Sequence, residues 1–528
     1  METDATRSTW IEALTLAPPS LSDNTADQER LLGALKRRLG SAAIQLDPAL
    51  AAQLPSLLRS GHFRVRCALV RDRDRWLVTG LAGGDDPTPL CGLAIDLGTT
   101  RIVLSLLNLE TGRVLREHSF DNPQVAVGPD VLARVHYADQ KDGLGHLTRL
   151  VVDGLNDAIA AFCHQEGLDQ EHIVLLALAG NTTMTHLFMG LTPHWIIREP
   201  YIPVVNRPGI PRAGELGLRA GPGARIMIFP NIGSYFGGDL IAGILYSGLD
   251  RGAEPSLLVD VGTNAEVVLG DRNWLIACAG AAGPALEGGV SRIGTTARPG
   301  AIDRVRIHGA DRPFELRTID GQPPLGICGS GFIDLAAQLF AAGMIDIQGR
   351  FVPAACRGHL REIDGEPQLV VAPAEATASG EPLTISQVDL DSLMRSKAAM
   401  YTILETLTEA VGMTPGQIAT FYVAGTFGVY IDPRSAITLG MLPDLPPARY
   451  RPLGNSSLEG AKKVLREPDS LARVDAIRDR ITYLELNVNQ AFMNRFSAAR
   501  FIPHTNPELF PSVAIPKGNE RPSAPPHV

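Results

Sequence analysis

The sequence predicts a duplicated α/β fold preceded by a small N-terminal α+β unit. Three observations carry this. The chain has 528 residues, more than one hydrophobic core usually serves. The segments Asp96-Leu97-Gly98-Thr99-Thr100 and Asp260-Val261-Gly262-Thr263-Asn264 repeat one pattern, each entered from an apolar strand and left into another. Helical stretches separate the two strand–turn–strand groups, so both halves open in the same way.

Residues 1–88 form the expected N-terminal unit and its linker. Thr25 to Arg38 reads as an amphipathic helix with Leu31, Leu32 and Leu35 on one face. Phe63 to Cys67 and Trp76 to Val78 read as strands joined by the charged turn Arg71 to Asp74, and Ala82 to Pro87 as a linker. The first subdomain, 89–255, begins with strand Leu93 to Ile95, the DLGTT turn and strand Ile102 to Leu109. The turn Glu110 to Arg113 leads to a third strand at Val114-Leu115. Helices follow at 130–135, 147–166 and 237–246. The second subdomain, 256–505, repeats the pattern from Ser256 to Val259 through DVGTN into Glu266 to Leu269, then Trp274 to Ala277. Its helices are expected at 333–342, 386–411 and 458–464. The Pro-rich tail, 506–528, is expected to lie over the surface or to be disordered.

Composition narrows the function classes. Hydrophobic residues make up 45% and charged residues 20%, as in ordinary globular domains. A formal net charge of -9, with Lys and Arg spread along the chain, argues against a nucleic-acid surface. No basic start followed by an apolar run occurs, and no apolar stretch approaches the roughly 20 residues of a membrane helix. A cytoplasmic protein without a membrane partner is expected. The six cysteines (Cys67, Cys91, Cys163, Cys278, Cys328 and Cys356) are nowhere closer than 24 positions. Iron–sulfur and zinc sites need thiolates a few residues apart, so reduced thiols and no iron–sulfur cluster are expected.

The two repeated turns fit phosphate chemistry. A phosphate loop needs a tight turn, open backbone N–H groups and oxygen ligands for magnesium. Gly98 and Gly262 permit backbone approach, and Thr99, Thr100, Thr263 and Asn264 add donors. Asp96 and Asp260, at the strand ends, are placed to hold Mg2+, which takes one or two carboxylates and keeps several waters. The expected ligand is Mg-ATP, gripped from both sides. One Asp-X-Gly-Thr turn could be a plain hairpin; two in matching settings point to nucleotide. Neither GxxxxGK[ST] nor a helix-opening GxGxxG occurs, and GxSxG and HExxH are absent. His186 and His504 lack a histidine partner at metal-ligand spacing and read as hydrogen-bonded structural residues.

Further glycine segments follow. Ala279 to Gly289 contains Glu287. Gly329-Ser330-Gly331 precedes a helix expected near Phe332, with Asp334 in its first turn; Gly425-Thr426-Phe427-Gly428 follows strand Phe421 to Val423. Helix starts and glycine turns admit phosphate, ribose or base, so Gly329, Ser330, Gly331, Gly425, Thr426 and Gly428 are candidate nucleotide contacts. Either Glu266 or Glu287 is the candidate that orients the attacking water.

Together the motifs resemble the superfamily of acetate and sugar kinases, heat-shock ATPases and actin (ASKHA). More narrowly, the chain resembles ATP-dependent reductive activators of corrinoid proteins. Asn122-Pro123-Gln124, Gly128 to Val131, Ala179 to Met184, Gly237-Gly238-Asp239, Pro299 to Ile302, Gly454-Asn455-Ser456 and Phe501 to Thr505 match in order. The N-terminal unit is similar to that family's middle domain. The resemblance implies a duplicated ribonuclease-H-like ATPase core of two subdomains around a nucleotide cleft. It implies ATP-driven return of Co(II) to Co(I) in a corrinoid protein of a methyltransferase system. Family members usually carry an iron–sulfur domain; this chain is expected to lack one, so a separate ferredoxin or flavodoxin would supply the electron. Ala265 and Thr426 replace glycines of the family pattern. The resemblance also implies a homodimer. A small-molecule kinase, with Asp239 and Arg298 near the γ-phosphate, and a nucleotide-dependent metalloprotein chaperone are the alternatives.

Overall fold

The computed structural model describes residues 9–41, 43–262, 265–280, 291–309, 313–356, 358–363, 365–484 and 490–516. The chain divides into two compact units. The first comprises residues 1–248 and 456–480; the second comprises 249–455 and 481–528.

The first unit opens with β1 (Ile11–Thr15), α1 (Asp27–Leu39), β2 (Ile44–Gln45), α2 (Pro48–Ala51), α3 (Leu54–Ser60), β3 (Arg64–Asp72) and β4 (Arg75–Gly83). The strands form a sheet in the order β1-β3-β4-β2. Leu31, Leu35, Leu54 and Leu58 are buried beneath it, the packing expected of an amphipathic helix on a half-buried sheet. The charged turn is tighter than the sequence suggested. β3 runs to Asp72, and β4 continues through Ala82 and Gly83, the first residues of the expected linker.

A second sheet follows, made of β5 (Cys91–Leu97), β6 (Arg101–Asn108), β7 (Val114–Asp121), β8 (Ile173–Gly180) and β9 (Arg225–Ile228), in the order β7-β6-β5-β8-β9. β5 pairs antiparallel with β6 and parallel with β8. β8, IVLLALAG, is buried at every residue, so it reads as one apolar run with no alternation. Helices α4 (Val131–Ala138), α5 (Gly143–Glu166), α6 (Thr182–Met189) and α7 (Gly238–Ser247) complete this part. Leu147, Val151, Leu155, Ile159 and Phe162 of α5 bury against the sheet.

The second unit repeats the design. It begins with β10 (Ser256–Val261), β11 (Ala265–Gly270) and β12 (Leu275–Gly280). Two small three-stranded sheets follow. One holds β13 (Ala301–Arg306), β14 (Glu315–Thr318) and β15 (Gly326–Ile327), and precedes α8 (Gly329–Ala341). The other holds β16 (Leu360–Ile363), β17 (Glu366–Ala372) and β18 (Leu383–Ser386), and leads into α9 (Gln387–Ala410). Then come β19 (Thr420–Ala424), α10 (Gly425–Tyr430), α11 (Pro433–Leu439) and β20 (Tyr450–Gly454). After α12 (Ser456–Arg466) and α13 (Ser470–Arg480), β21 (Ile481–Tyr483) and α14 (Gln490–Ala499) close the chain. The main sheet runs β20-β19-β10-β11-β12-β21. Its first five strands reproduce the topology of the first unit: two antiparallel pairings on one side of the lead strand, two parallel on the other. The fold is thus a duplicated α/β core with an N-terminal α+β unit.

Three details depart from the sequence reading. α8 starts at Gly329, so Gly329 to Gly331 form its first turn and do not precede it. α12 and α13 return to the first unit, a crossing that a single division at 255 does not contain. There Gly460 lets α12 touch α7 at the backbone; a Cβ would meet the Ala242 carbonyl oxygen at 2.2 Å. Finally, Phe510 of the expected tail is 1% exposed and packs on Tyr401, so the tail's start is core. Among the described residues no helix is long and apolar enough to cross a membrane.

Candidate functional site

In the first unit, β5 delivers Asp96 half-buried at its end, followed by the turn Gly98-Thr99-Thr100. Gly98 is required sterically: a Cβ there would lie 2.3 Å from the Arg101 carbonyl oxygen. All three loop carbonyls are engaged. Asn122 Nδ2 donates to Gly98 O at 2.9 Å, and Arg134 Nη2 donates to Thr99 O at 2.6 Å. Asn122 N donates to Thr100 O at 2.8 Å. Asn181 Nδ2 also donates to Thr99 Oγ1 at 3.0 Å. With the oxygens held this way, the N–H groups of Thr99 and Thr100 have no acceptor among the described residues. Such a run of unpaired donors fits a phosphate.

The bracing residues have local reasons for their positions. Asn122 accepts from Gln124 N at the turn after β7, and Asn181 caps α6 by accepting from Met184 N at 2.9 Å. Asp130 caps α4, which carries Arg134. α12 brings Ser457, whose Oγ donates to Asp96 Oδ1 at 2.8 Å. Asp239 sits in the first turn of α7. A Cβ on Gly237 would lie 2.5 Å from both Asp239 Oδ1 and Asn181 Cα, so Asp239 closes on the end of β8. Asn122, Arg134, Asn181 and Ser457 carry no local sign of this bracing in the sequence. Asn122 and Asn181 lie inside the Asn122-Pro123-Gln124 and Ala179 to Met184 motifs, but their partners are distant in the chain.

In the second unit, Asp260 stands directly opposite Glu266 across the β10–β11 pair. Opposed residues of an antiparallel pair share a face, with Cβ atoms roughly 4.5–5.5 Å apart. Two carboxylates so placed suit a divalent cation with its waters, or a polarised water. On the other side of Asp260 stands Ala424 of β19. Gly425 follows with φ +78°, and a Cβ there would come 3.2 Å from Asp260 Oδ1. Gly262 is exposed beyond β10. Thr263, Asn264 and Glu287 lie outside the described residues, as does the Thr426 side chain.

The remaining glycine candidates are engaged in packing. A Cβ on Gly331 would meet the Ile302 carbonyl oxygen at 2.1 Å, and one on Gly428 the Val423 oxygen at 2.4 Å. Ser330 is buried with its Oγ 3.2 Å from Cys328 Sγ, and Gly329 is buried beside it. Asp334 accepts from Val305 N at 2.7 Å and Ser435 Oγ at 2.6 Å, a structural role. His186 Nδ1 donates to Thr182 O at 2.7 Å while Nε2 accepts from Val205 N, and burial lowers its pKa. All six cysteines are buried free thiols. Burial pushes the Cys91 thiol up to about 12 and Cys356 to about 11, and raises Cys67, Cys163 and Cys278. No group of three or more His, Cys, Asp or Glu able to hold a metal occurs among the described residues.

Comparison with known proteins covers nearly the whole chain. Residues 2–87 match the model described as the RACo linker region, and 91–252 the RACo middle region. Residues 254–514 match the C-terminal domain of RACo, the ASKHA domain. The linker model thus falls on the N-terminal unit that the sequence reading likened to a middle domain. A solved "Reductive activator for corrinoid, iron-sulfur protein" superposes with a TM-score of 0.86 at 37% identity, covering 97% of this chain and 82% of that one. The corrinoid activation enzyme RamQ of Eubacterium limosum is 29% identical over 428 residues, 80% of this chain and 72% of that protein. The [Co(II) methylated amine-specific corrinoid protein] reductase of Methanosarcina barkeri is 25% identical over 445 residues, covering 76% and 75%.

Proposed function

The chain belongs to the RACo family of corrinoid reductive activators, and on that premise we propose that it couples ATP hydrolysis to reactivation of a corrinoid protein. The partner is the corrinoid protein of a methyltransferase system. One electron from a separate ferredoxin or flavodoxin converts its cobalt from Co(II) to Co(I), while ATP and water give ADP and phosphate. The observation that carries the reading is the Gly98-Thr99-Thr100 turn, whose carbonyls are all engaged and whose Thr99 and Thr100 amides have no acceptor among the described residues.

Gly98, Thr99 and Thr100 would receive phosphate oxygens. Asp96, held by Ser457, would hold Mg2+ through water in the first unit, and Asp260 is the corresponding candidate in the second. When bound, Mg2+ would neutralise phosphate charge and orient the triphosphate. Glu266, opposite Asp260 across the strand pair, would orient the attacking water. Gly425 admits the nucleotide close to the second loop. Buried thiols this widely spaced in the sequence suit a cluster poorly, which supports an external electron source. ATP can drive reduction only if its bound states differ in affinity for the corrinoid partner, so the partner should alter ATP turnover.

The test mixes the protein with a Co(II)-corrinoid protein, a low-potential reductant and Mg-ATP, and follows Co(I) absorbance. ATP-dependent recovery of Co(I) is expected. Recovery at the same rate and extent without ATP would sink the coupling.

A further inference from the structure

Arg134 is a fully buried cation beneath the first phosphate loop. Its guanidinium donates to Thr99 O at 2.6 Å, Gly128 O at 2.9 Å, Gln124 Oε1 at 3.2 Å and Met184 Sδ at 3.1 Å. All four acceptors are neutral, and no carboxylate bonds it among the described residues. The nearby carboxylate, Asp130, is exposed and accepts from Ala133 N at 2.8 Å. Gly128 makes room for the arginine stem; a Cβ there would meet Arg134 Cγ at 3.0 Å. Burial lowers the pKa to about 10, which still leaves a cation at neutral pH.

A buried charge normally has a counter-charge, because leaving it unpaired is costly. Here the missing anion has an obvious place. The peptide joining Thr99 and Thr100 is planar, so a carbonyl aimed at Arg134 sends the Thr100 N–H the opposite way. The guanidinium polarises that peptide and strengthens its outward donor. Asn122, donating to Gly98 O, does the same for the Thr99 N–H. We infer that Arg134 is a positioning residue whose unpaired charge is completed by the nucleotide's phosphate, relayed through the Thr99–Thr100 peptide. This rests on the ATP reading above and deepens it.

The test is calorimetric binding of Mg-ATP and of adenosine to the full chain and to Gln124→Glu, Arg134→Met and Arg134→Lys. Gln124→Glu is nearly isosteric and places a carboxylate against the guanidinium, so it neutralises the charge while keeping the arginine. It is expected to weaken Mg-ATP at least tenfold while changing adenosine by less than twofold. Arg134→Met should do the same, and Arg134→Lys should recover part of the loss. If Arg134→Met does not fold, Gln124→Glu decides. Equal losses for adenosine and Mg-ATP, or Mg-ATP affinity in Gln124→Glu within twofold of the parent, would overturn the inference. A parent that binds no Mg-ATP would instead overturn the ATP reading itself.

Discussion

The two Asp-X-Gly-Thr turns lie at equivalent places in equivalent sheets, yet their surroundings differ in sign. The first is braced by amide donors and underlain by a cation: Asn122, Asn181 and Arg134. In the second, the strand end sets a second carboxylate, Glu266, beside Asp260; the position opposite Asp96 is Val103. Duplication kept the strand pairing around the lead strand. Electrostatics diverged: the first turn suits an anion, the second strand end a cation or a polarised water.

The largest effect expected from this contrast is on turnover. Asp260→Asn should lower partner-stimulated ATP hydrolysis by roughly 100-fold or more, with Mg-free nucleotide affinity little changed. Asn181→Ala, in the first unit, should do the reverse: weaker nucleotide binding and a smaller change in kcat. Steady-state kinetics beside titration of nucleotide with and without Mg2+ would separate the two. Matching profiles for both variants would erase the proposed division of labour.

Next comes Gly425. Its φ of +78° costs an L-residue about 1–2 kcal/mol, and a new methyl would press on the Asp260 carboxylate. Gly425→Ala should therefore lower the melting temperature and ATP turnover together. A stable variant with full turnover would show that the second strand end does not need this close approach.

How far the sequence revealed these features depends on the range of the interaction. The paired turns, the hairpins and α1, α5, α7 and α9 were readable because apolar periodicity and turn chemistry are local. The strand-end positions of Asp96 and Asp260 and the tight turn at Gly98 followed from the same local grammar. The braces were not readable: Arg134 meets Thr99 across 35 positions and Ser457 meets Asp96 across 361. For Gly331 and Gly428 the sequence could not separate backbone packing, which the structure shows, from ligand approach, because both call for the same residue. The β8 strand was missed because a fully buried run carries no alternation.

Ser457 gives a smaller effect. Removing its hydroxyl takes away one hydrogen bond to a carboxylate, worth about 1.5–3 kcal/mol at most and less where water can replace it. Ser457→Ala should lower kcat several-fold through Asp96 while leaving nucleotide affinity nearly intact. An affinity loss as large as the kcat loss would place Asp96 with the phosphate-binding groups and blur the contrast between the turns.

The smallest expected effect concerns the buried cations themselves. Lys397 of the second unit is as buried as Arg134, but its ammonium donates to Phe501 O at 2.5 Å and Pro503 O at 2.7 Å, fastening the C-terminal segment. Burial lowers its pKa. Beside it, burial and then the Lys397 charge lower His504 from 6.5 to about 4. Between those values the unfolded chain binds more protons than the folded one, so stability falls as pH drops from about 6.5 towards 4. The loss should be about 1–2 kcal/mol, since His504 is only half-buried. His504→Gln should flatten thermal stability over that window while leaving the alkaline side unchanged. There the depressed Lys397 makes stability rise as pH climbs towards its unfolded value. An unchanged acid slope in His504→Gln would show that Lys397 fastens the C-terminal segment without help from a neutral histidine.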